Sequence, residues 1–315
     1  MPISIQGGMS FAGGITLIIN PFPDPGQQEY ITPGTYSWTA PTNVTSVCVV
    51  CVGGGGSGQY RSNYTSTLLA GGGGGGLGWK NDIPVTPGQS YTVFVGAGTP
   101  SVSAPSGTGA TNPATAAQDS YFISTSVVKG GAGQNASSAT GGGGAGGTYT
   151  GDGGGNGGAG GNRAGSSCAS SGGGGAGGYS GTGGAGGVPG NGTVGSGGGG
   201  GGGAGYDAGF NPGSAYAAAG GGVGIYGQGT NGAGGNTSGV QSSITPGQGG
   251  SNGTNGTVAG YSAIGTGGSY GGGGGAVAQD GLDSKGVTSQ KGGDGAVRII
   301  WGQNRAFPST NTGNV

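Results

Sequence analysis

Few residues in this chain could carry chemistry. Cys48 and Cys51 stand at the C-x-x-C spacing that marks zinc or redox sites elsewhere. They fall inside the strand-like run Val47-Cys48-Val49-Val50-Cys51-Val52. Side chains alternate faces along a strand, so positions three apart point to opposite sides. No second Cys pair follows, and the chain has no His to complete a tetrahedral site. Both thiols therefore read as small buried hydrophobes. Without His, neither a Ser-His-Asp nor a Cys-His arrangement can be built. No Gly-Lys pair is present for a phosphate loop. Asp280 and Asp283 could contribute to a calcium site, but two ligands are few and turn residues are the better reading. Asp152 and Asp207 are carboxylates that glycosidic hydrolysis could use, and nothing in their spacing favours it. The expectation is no catalytic residue, no metal site, no cofactor and no enzyme.

Composition explains the scarcity. The 315 residues include 96 Gly, 5% are charged and the formal net charge is −1. Ordering a backbone unit costs roughly 1–2 kcal/mol, so ordering the glycines alone costs on the order of 100 kcal/mol. Glycine brings no side chain to offset this. The chain is then either a low-complexity disordered segment or a lattice in which backbone packs on backbone. Eight basic residues scattered from Arg61 to Arg305 cannot neutralise a nucleic acid. No apolar stretch approaches a membrane span; the best is Ile15–Ile19. Met1-Pro2-Ile3-Ser4-Ile5 lacks the basic and apolar segments of a secretory signal. We expect no nucleic-acid partner, no membrane insertion, and either assembly in a cytoplasm or prior removal of an export signal.

The elements that must position any site are mostly β and irregular, with almost no α-helix. Ile15–Ile19 reads as a strand and Pro21–Gly26 as a stiff linker, which together suggest an attachment arm over residues 1–29. A simple edge strand is the competing reading of that segment. Tyr30-Ile31 and Thr35–Thr39 flank a Pro33-Gly34 turn, and Ile83–Val85 and Tyr91–Val95 flank a Pro87-Gly88 turn. Val44–Val52, Tyr121–Ile123 and Val127-Val128 add strands, and Ala296–Trp301 returns from the far end of the chain. These make a small β-sandwich-like domain over 30–129, completed by 292–302, with a tail over 303–315. Gly71–Gly76 falls inside this β part.

Residues 130–291 are different. Glycine blocks recur, and they show a period of three. Asn156, Ala159 and Asn162 are separated by Gly-Gly pairs. Ala176, Tyr179, Thr182, Ala185 and Val188 occupy every third place, with Ser180 breaking one spacer. A polyproline-II-type helix has three residues per turn and about 3.1 Å rise. Every third side chain then shares one face, and bare backbone makes up the other two. Collagen requires Gly at every third position and abundant Pro; here Gly fills two positions in three. The period selects the lattice: a folded-back bundle of glycine helices inserted in the β domain, its parallel or antiparallel sense undetermined.

Thr32-Pro33-Gly34-Thr35-Tyr36-Ser37-Trp38-Thr39-Ala40-Pro41, Val44–Val47 and Gly53–Gly56 resemble the start of the glycine-rich domain of phage tail and fibre proteins. Gly71–Gly76, Val85–Val93, Val95–Gly98 and Gly292–Ile299 continue the likeness, which covers about 30–301. The glycine section is also similar to the polyglycine-helix sandwich of phage tail-tip adhesins. The resemblance implies a non-enzymatic virion protein, a tail fibre or tail-tip adhesin acting in host attachment. Its partners would be other virion proteins, through the N-terminal arm, and a host surface polysaccharide or outer-membrane protein. A capsid decoration or head fibre protein, and a secreted glycine-rich fibre or ice-binding protein, are the alternatives.

Recognition needs shaped side chains, which glycine helices lack. The larger ones gather between glycine blocks: Tyr206, Asp207, Phe210, Asn211 and Tyr216, then Tyr226, with Tyr261 and Tyr270 later. Tyr offers a flat apolar face and a hydroxyl suited to a sugar ring. These six, Tyr206 to Tyr226, are the candidate ligand-binding residues; capping the bundle's ends is the competing role.

Overall fold

The computed structural model describes residues 23–61, 67–104, 114–137, 141–164, 168–207, 215–237, 243–258, 265–278 and 287–309. The expected strand Ile15–Ile19, most of the arm, Phe210, Asn211, Tyr261, Asp280 and Asp283 lie outside the described residues. Among the described residues there is no α-helix. The strands begin with β1 (Gly26–Tyr30), β2 (Gly34–Thr39), β3 (Ser46–Val52), β4 (Tyr60–Arg61), β5 (Thr67–Leu69) and β6 (Leu77–Pro84). Then come β7 (Ser90–Val95), β8 (Ser103–Ala104), β9 (Ser120–Phe122), β10 (Val128–Gly130), β11 (Tyr149–Thr150) and β12 (Gly153–Gly155). The last are β13 (Cys168–Ser170), β14 (Tyr206–Asp207), β15 (Ala215–Tyr216), β16 (Val277–Ala278), β17 (Val287–Thr288) and β18 (Ala296–Trp301).

Two five-stranded sheets, β1-β18-β3-β6-β12 and β11-β10-β9-β7-β2, pack over one apolar core. Val47, Val49 and Cys51 of β3 and Val297 and Ile299 of β18 meet Trp38, Val93, Val95, Phe122 and Val128. The opposite face of β3 is covered too. Cys48, Val50 and Val52 pack with Leu77, Ile300, Tyr179, Val223, Ile225 and Phe307. A strand buried on both faces reads as a continuous apolar run rather than an alternating one. The two cysteines point to opposite cores, as the strand period requires.

The Pro-Gly turns do not close hairpins. β1 pairs with β18 while β2 pairs with β7, and β6 pairs with β3 while β7 pairs with β2 and β9. Each turn carries the chain from one layer to the other. Pairing β6 with β7 would remove Val93 and Val95 from the layer that covers Val297 and Ile299 of β18. The boundary at residue 29 also falls within β1, because Gly26–Tyr30 is an edge strand of the first sheet. The expected tail at 303 is packed as far as Phe307. The Phe307 ring lies 5.9 Å from Tyr179 and closes the second core, and Asn81 Nδ2 donates to the Phe307 carbonyl at 2.7 Å.

The glycine runs pack as a hexagonal array. Donors along Gly71–Gly76 cycle through three neighbours with a period of three. Gly71 and Gly74 donate to Gly161 and Gly158, Gly72 and Gly75 to Gly274 and Gly271, and Gly73 and Gly76 to Gln134 and Gly131. Its carbonyls accept from three more: Gly73 and Gly76 from Gly56 and Gly53, Gly71 and Gly74 from Gly144 and Gly147, Gly72 and Gly75 from Gly174 and Gly177. A three-residue turn aims successive N–H groups about 120° apart, which is the geometry the period implied. The sense is mixed. Partner numbers fall against 158–161 and rise against 144–147, so neighbours run antiparallel and parallel in one array.

Two expectations about the bundle need correction. It is not confined to 130–291: Gly53–Gly58 and Gly71–Gly76 join it, and Gly71–Gly76 lies at its interior. A run's depth depends on hydrogen bonds to distant runs, which local composition does not encode. The period from Ala176 to Val188 is also not one helix. Gly172, Gly175 and Gly178 donate to Gly187, Gly184 and Gly181, so the chain reverses at Tyr179–Gly181. Ala176 and Tyr179 are buried, whereas Thr182 and Val188 face solvent. Asn156, Ala159 and Asn162 are all exposed and share one face, as the period requires.

Candidate functional site

The runs alternate between leaving the sandwich and returning to it. Runs such as 53–59 and 199–205 lead outward, and 70–76 and 217–225 lead back. Seven residues at about 3.1 Å each separate the ends by roughly 22 Å. At the outer ends the chain forms small sheets. β13 pairs with β14 and β5, and β16 pairs with β15 and β4. β17 pairs with β8, and β13, β14, β15 and β16 adjoin one another. These strands flank the connections 62–66, 165–167, 208–214 and 279–286, which lie outside the described residues. Gln59, fully buried below β4, anchors this end: its Oε1 accepts from Ala70 N–H and Arg163 Nε, each at 3.0 Å.

The bundle's outer faces close with short polar side chains. Thr193, Thr245, Thr257 and Thr254 hydroxyls accept from the backbone N–H groups of Ala185, Asn236, Thr266 and Ser269 at 2.6–2.7 Å. Asn231 and Asn255 side-chain carbonyls accept from Gly198 and Gly249. Each side chain gives an acceptor to a backbone N–H at the array's face, and the N–H of each of the four Thr donates back to the carbonyl of the residue it serves. The Thr and Asn content is thus read as edge closure, as unpaired backbone groups demand.

The structure divides the candidate residues between two ends. Tyr206 and Asp207 form β14 and Tyr216 lies in β15, at the outer end. Asp207 is exposed and Tyr206 half-buried, packed against Ala204, Ala218 and Ile244. Phe210 and Asn211 lie outside the described residues. Tyr226 does not join them: the run 217–225 returns the chain to the sandwich and places it at the inner end. There its hydroxyl donates to Glu29 Oε2 at 3.0 Å and its ring covers the Arg298 guanidinium at 4.3 Å. Burial and the Glu29 carboxylate raise the Tyr226 phenol above its ordinary range.

The inner end holds a charge cluster that sequence reasoning missed. Arg298 projects from the bundle-facing side of β18 and is fully buried. It pairs with Glu29 of β1 at 3.3 Å (Nε to Oε1), donates to the Ile225 carbonyl at 3.2 Å and donates to Gln27 Oε1. Tyr179 lies beside it: its hydroxyl donates to Gly224 O at 3.2 Å and accepts from Gly227 N–H at 3.0 Å. Burial drives the Tyr179 phenol far above its usual range. An arginine within the apolar run Ala296–Trp301 was the available signal. Elsewhere Asp152 accepts from Asn81 N–H and pairs with Lys80 at 2.9 Å, which holds its carboxyl below the usual range. Among the described residues no cluster of three or more Cys, Asp or Glu side chains could hold a metal, and no helix is long and apolar enough to cross a membrane.

No curated protein matches the chain. A family model for the glycine-rich domain matches residues 31–237, from the first turn of the sandwich through most of the glycine runs. That match spans well over half of the 315 residues, and the chain belongs to the glycine-rich domain family.

Proposed function

We propose that the protein is a non-enzymatic structural component of a phage virion, a tail fibre or tail-tip adhesin that presents the outer end of its glycine bundle to a host surface. The observation that carries this reading is the gathering of β4, β5 and β13–β16 at one end of a rigid array, opposite the sandwich. Loops on a rigid scaffold are where recognition resides. The sandwich then serves as the base, and residues before β1 join it to other virion proteins. The likeness of Thr32–Pro41 and Gly292–Ile299 to phage fibre domains supports the virion setting. The ligand is a host surface polysaccharide or an outer-membrane protein loop, met by Tyr206, Asp207, Phe210, Asn211 and Tyr216. Replacing Tyr206, Phe210 and Tyr216 together by Ser tests this. Lost cell binding with an unchanged melt supports recognition there. Retained binding refutes it, and retained binding with a large loss of stability assigns these residues to capping.

A further inference from the structure

The outer end holds a seam rich in hydrogen-bond donors. Gln59 ends the run 53–59 and is fully buried. Its backbone is tied on both sides: its N–H donates to Ala70 O at 2.9 Å, and its carbonyl accepts from Val277 N–H at 3.0 Å. Its side-chain Oε1 already takes two bonds, from Ala70 N–H and Arg163 Nε. The Nε2 donor is sealed from water and has no hydrogen-bond partner among the described residues. A buried amide donor left without an acceptor is rare in folded proteins, and it points to a group that the neighbouring side chains do not supply.

Two guanidinium groups flank this amide. Arg163 is fixed along its stem: its N–H donates to Gly141 O at 3.1 Å, and its Cδ passes so close to Gly141 that a Cβ there would lie 2.9 Å away. Its Nε is committed to Gln59, which leaves the two Nη groups as a fork. Among the described residues those Nη groups bond to nothing and no carboxylate pairs with Arg163. Lys80, Lys129 and Lys291, by contrast, each face an Asp. Arg61 of β4 stands two places after Gln59, so both side chains leave the chain on one side. The two cations feel one another: burial first, and then the Arg61 charge, hold the Arg163 guanidinium below its ordinary range. Both arginines are part-exposed, so a solute can reach them. A water molecule would satisfy Nε2 but leave two like charges side by side. An oxyanion answers both, and a guanidinium fork matches the two oxygens of a carboxylate or a phosphate.

The seam adjoins the candidate residues. Ala70 follows β5, β5 pairs with β13, and β13 pairs with β14, which carries Tyr206. Two strand spacings put β14 roughly 10 Å from β5, a span that a short stretch of sugar chain covers. We propose that Arg61, Arg163 and the Gln59 amide form an oxyanion site, which takes the carboxylate or phosphate group of an acidic polysaccharide whose neighbouring sugars reach Tyr206. That a host glycan bears the anion rests on the attachment reading; the anion site itself rests on the donors.

Binding of the whole chain to immobilised polygalacturonate, a phosphomannan and neutral dextran tests it, read by surface plasmon resonance at physiological salt. The first two polymers separate carboxylate from phosphate. One or both should be bound, and dextran should not. Arg163→Met and Arg61→Met should each weaken that binding roughly ten- to hundredfold, the effect of losing a charge-assisted bond, with the melt unchanged. Arg163→Lys keeps the charge without the fork and should lose part of the affinity. Lys80→Met removes a charge elsewhere and should lose none. Should Arg163→Met fail to fold, Arg61→Met and Arg163→Lys decide the matter. No binding to either anionic polymer, equal binding to dextran, or an equal loss in Lys80→Met would overturn the site. Cell binding by the same proteins keeps the two readings apart. Wild type and Arg variants that bind cells alike overturn the anion site and leave the attachment reading standing. Polymer binding that depends on Arg163, without any binding to cells, supports the site and counts against attachment.

Discussion

Replacing Gly74 by Ala should destabilise the protein, against the usual sign of the substitution. In a loop of compatible conformation, Gly→Ala stabilises by about 0.4–1 kcal/mol because it restricts the unfolded chain. Gly74 sits where six runs meet. Its N–H donates to Gly158 O at 2.9 Å and its carbonyl accepts from Gly147 N–H at 2.8 Å. A Cβ built there falls on the Gly175 carbonyl, far inside contact distance. That carbonyl belongs to backbone hydrogen-bonded on its own far side, with Gly158 N–H donating to it at 2.8 Å, so nothing flexible can yield. Overpacking a close-packed interior costs roughly 1–3 kcal/mol. Displacing two backbone hydrogen bonds adds about 1–3 kcal/mol. The expected loss is about 2–6 kcal/mol. Asn156→Ala is the control, since its side chain faces solvent at a third position and should shift stability by no more than about 0.5 kcal/mol. Thermal or denaturant melts of the two variants read the difference. Equal melts, or a stabilised Gly74→Ala, would refute the argument that backbone packing on backbone holds the array.

Other outcomes follow from the same structure. Far-UV circular dichroism should show a polyproline-II-type spectrum with a sheet contribution and no helical minimum; strong helical bands would contradict the fold. Burial pushes both Cys48 and Cys51 thiols up, so neither should react with a thiol reagent until the protein unfolds. Their folded-state values lie above the unfolded one, so their contribution is full below about pH 8.5 and fades as pH rises above it; a melt insensitive to alkali would count against this. Asp152 has the opposite sign. Its depressed carboxyl contributes stability above the unfolded value of about 3.9 that is lost as pH falls through the folded value, and Lys80→Met should shrink that acid dependence. Deleting residues 1–30 removes β1, with its pairing to β18 and the Glu29–Arg298 ion pair, and should lower the melt sharply; an unchanged melt would show that this strand does not hold the sheet edge.

Much of the scaffold was legible because it follows from local patterns. The continuous apolar run of β3, the return of Ala296–Trp301 and the opposed cysteines all rest on strand periodicity. So does the shared solvent face of Asn156, Ala159 and Asn162, with a period of three. What was missed depends on contacts between distant parts. Pro33-Gly34 and Pro87-Gly88 signal a turn but not whether the chain stays in its sheet. A reversal at Tyr179–Gly181 keeps the count of three across it, so one apparent helix hides two antiparallel ones. Gly71–Gly76 has the same composition as peripheral blocks, and only its six partners place it inside. For the candidate site, the sequence sets Tyr206 and Tyr216 between glycine blocks, and the fold puts them in β14 and β15. Tyr226 follows one glycine run later, and one run is long enough to carry it to the opposite end. Arg298 was overlooked because a charge in a strand suggests an exposed face, and its partner Glu29 lies 269 positions away.

The central functional claim is that the protein sits on a phage particle with its outer end directed at the host. Immunogold labelling of intact, purified particles measures this most directly, using antibodies raised separately against peptides spanning 206–216 and 23–30. The account predicts gold at the tail or fibre tip for 206–216, with the 23–30 label nearer the particle body or masked by its mount. Label on the capsid shell, or particles that bind neither antibody and contain none of the protein by mass spectrometry, would contradict it.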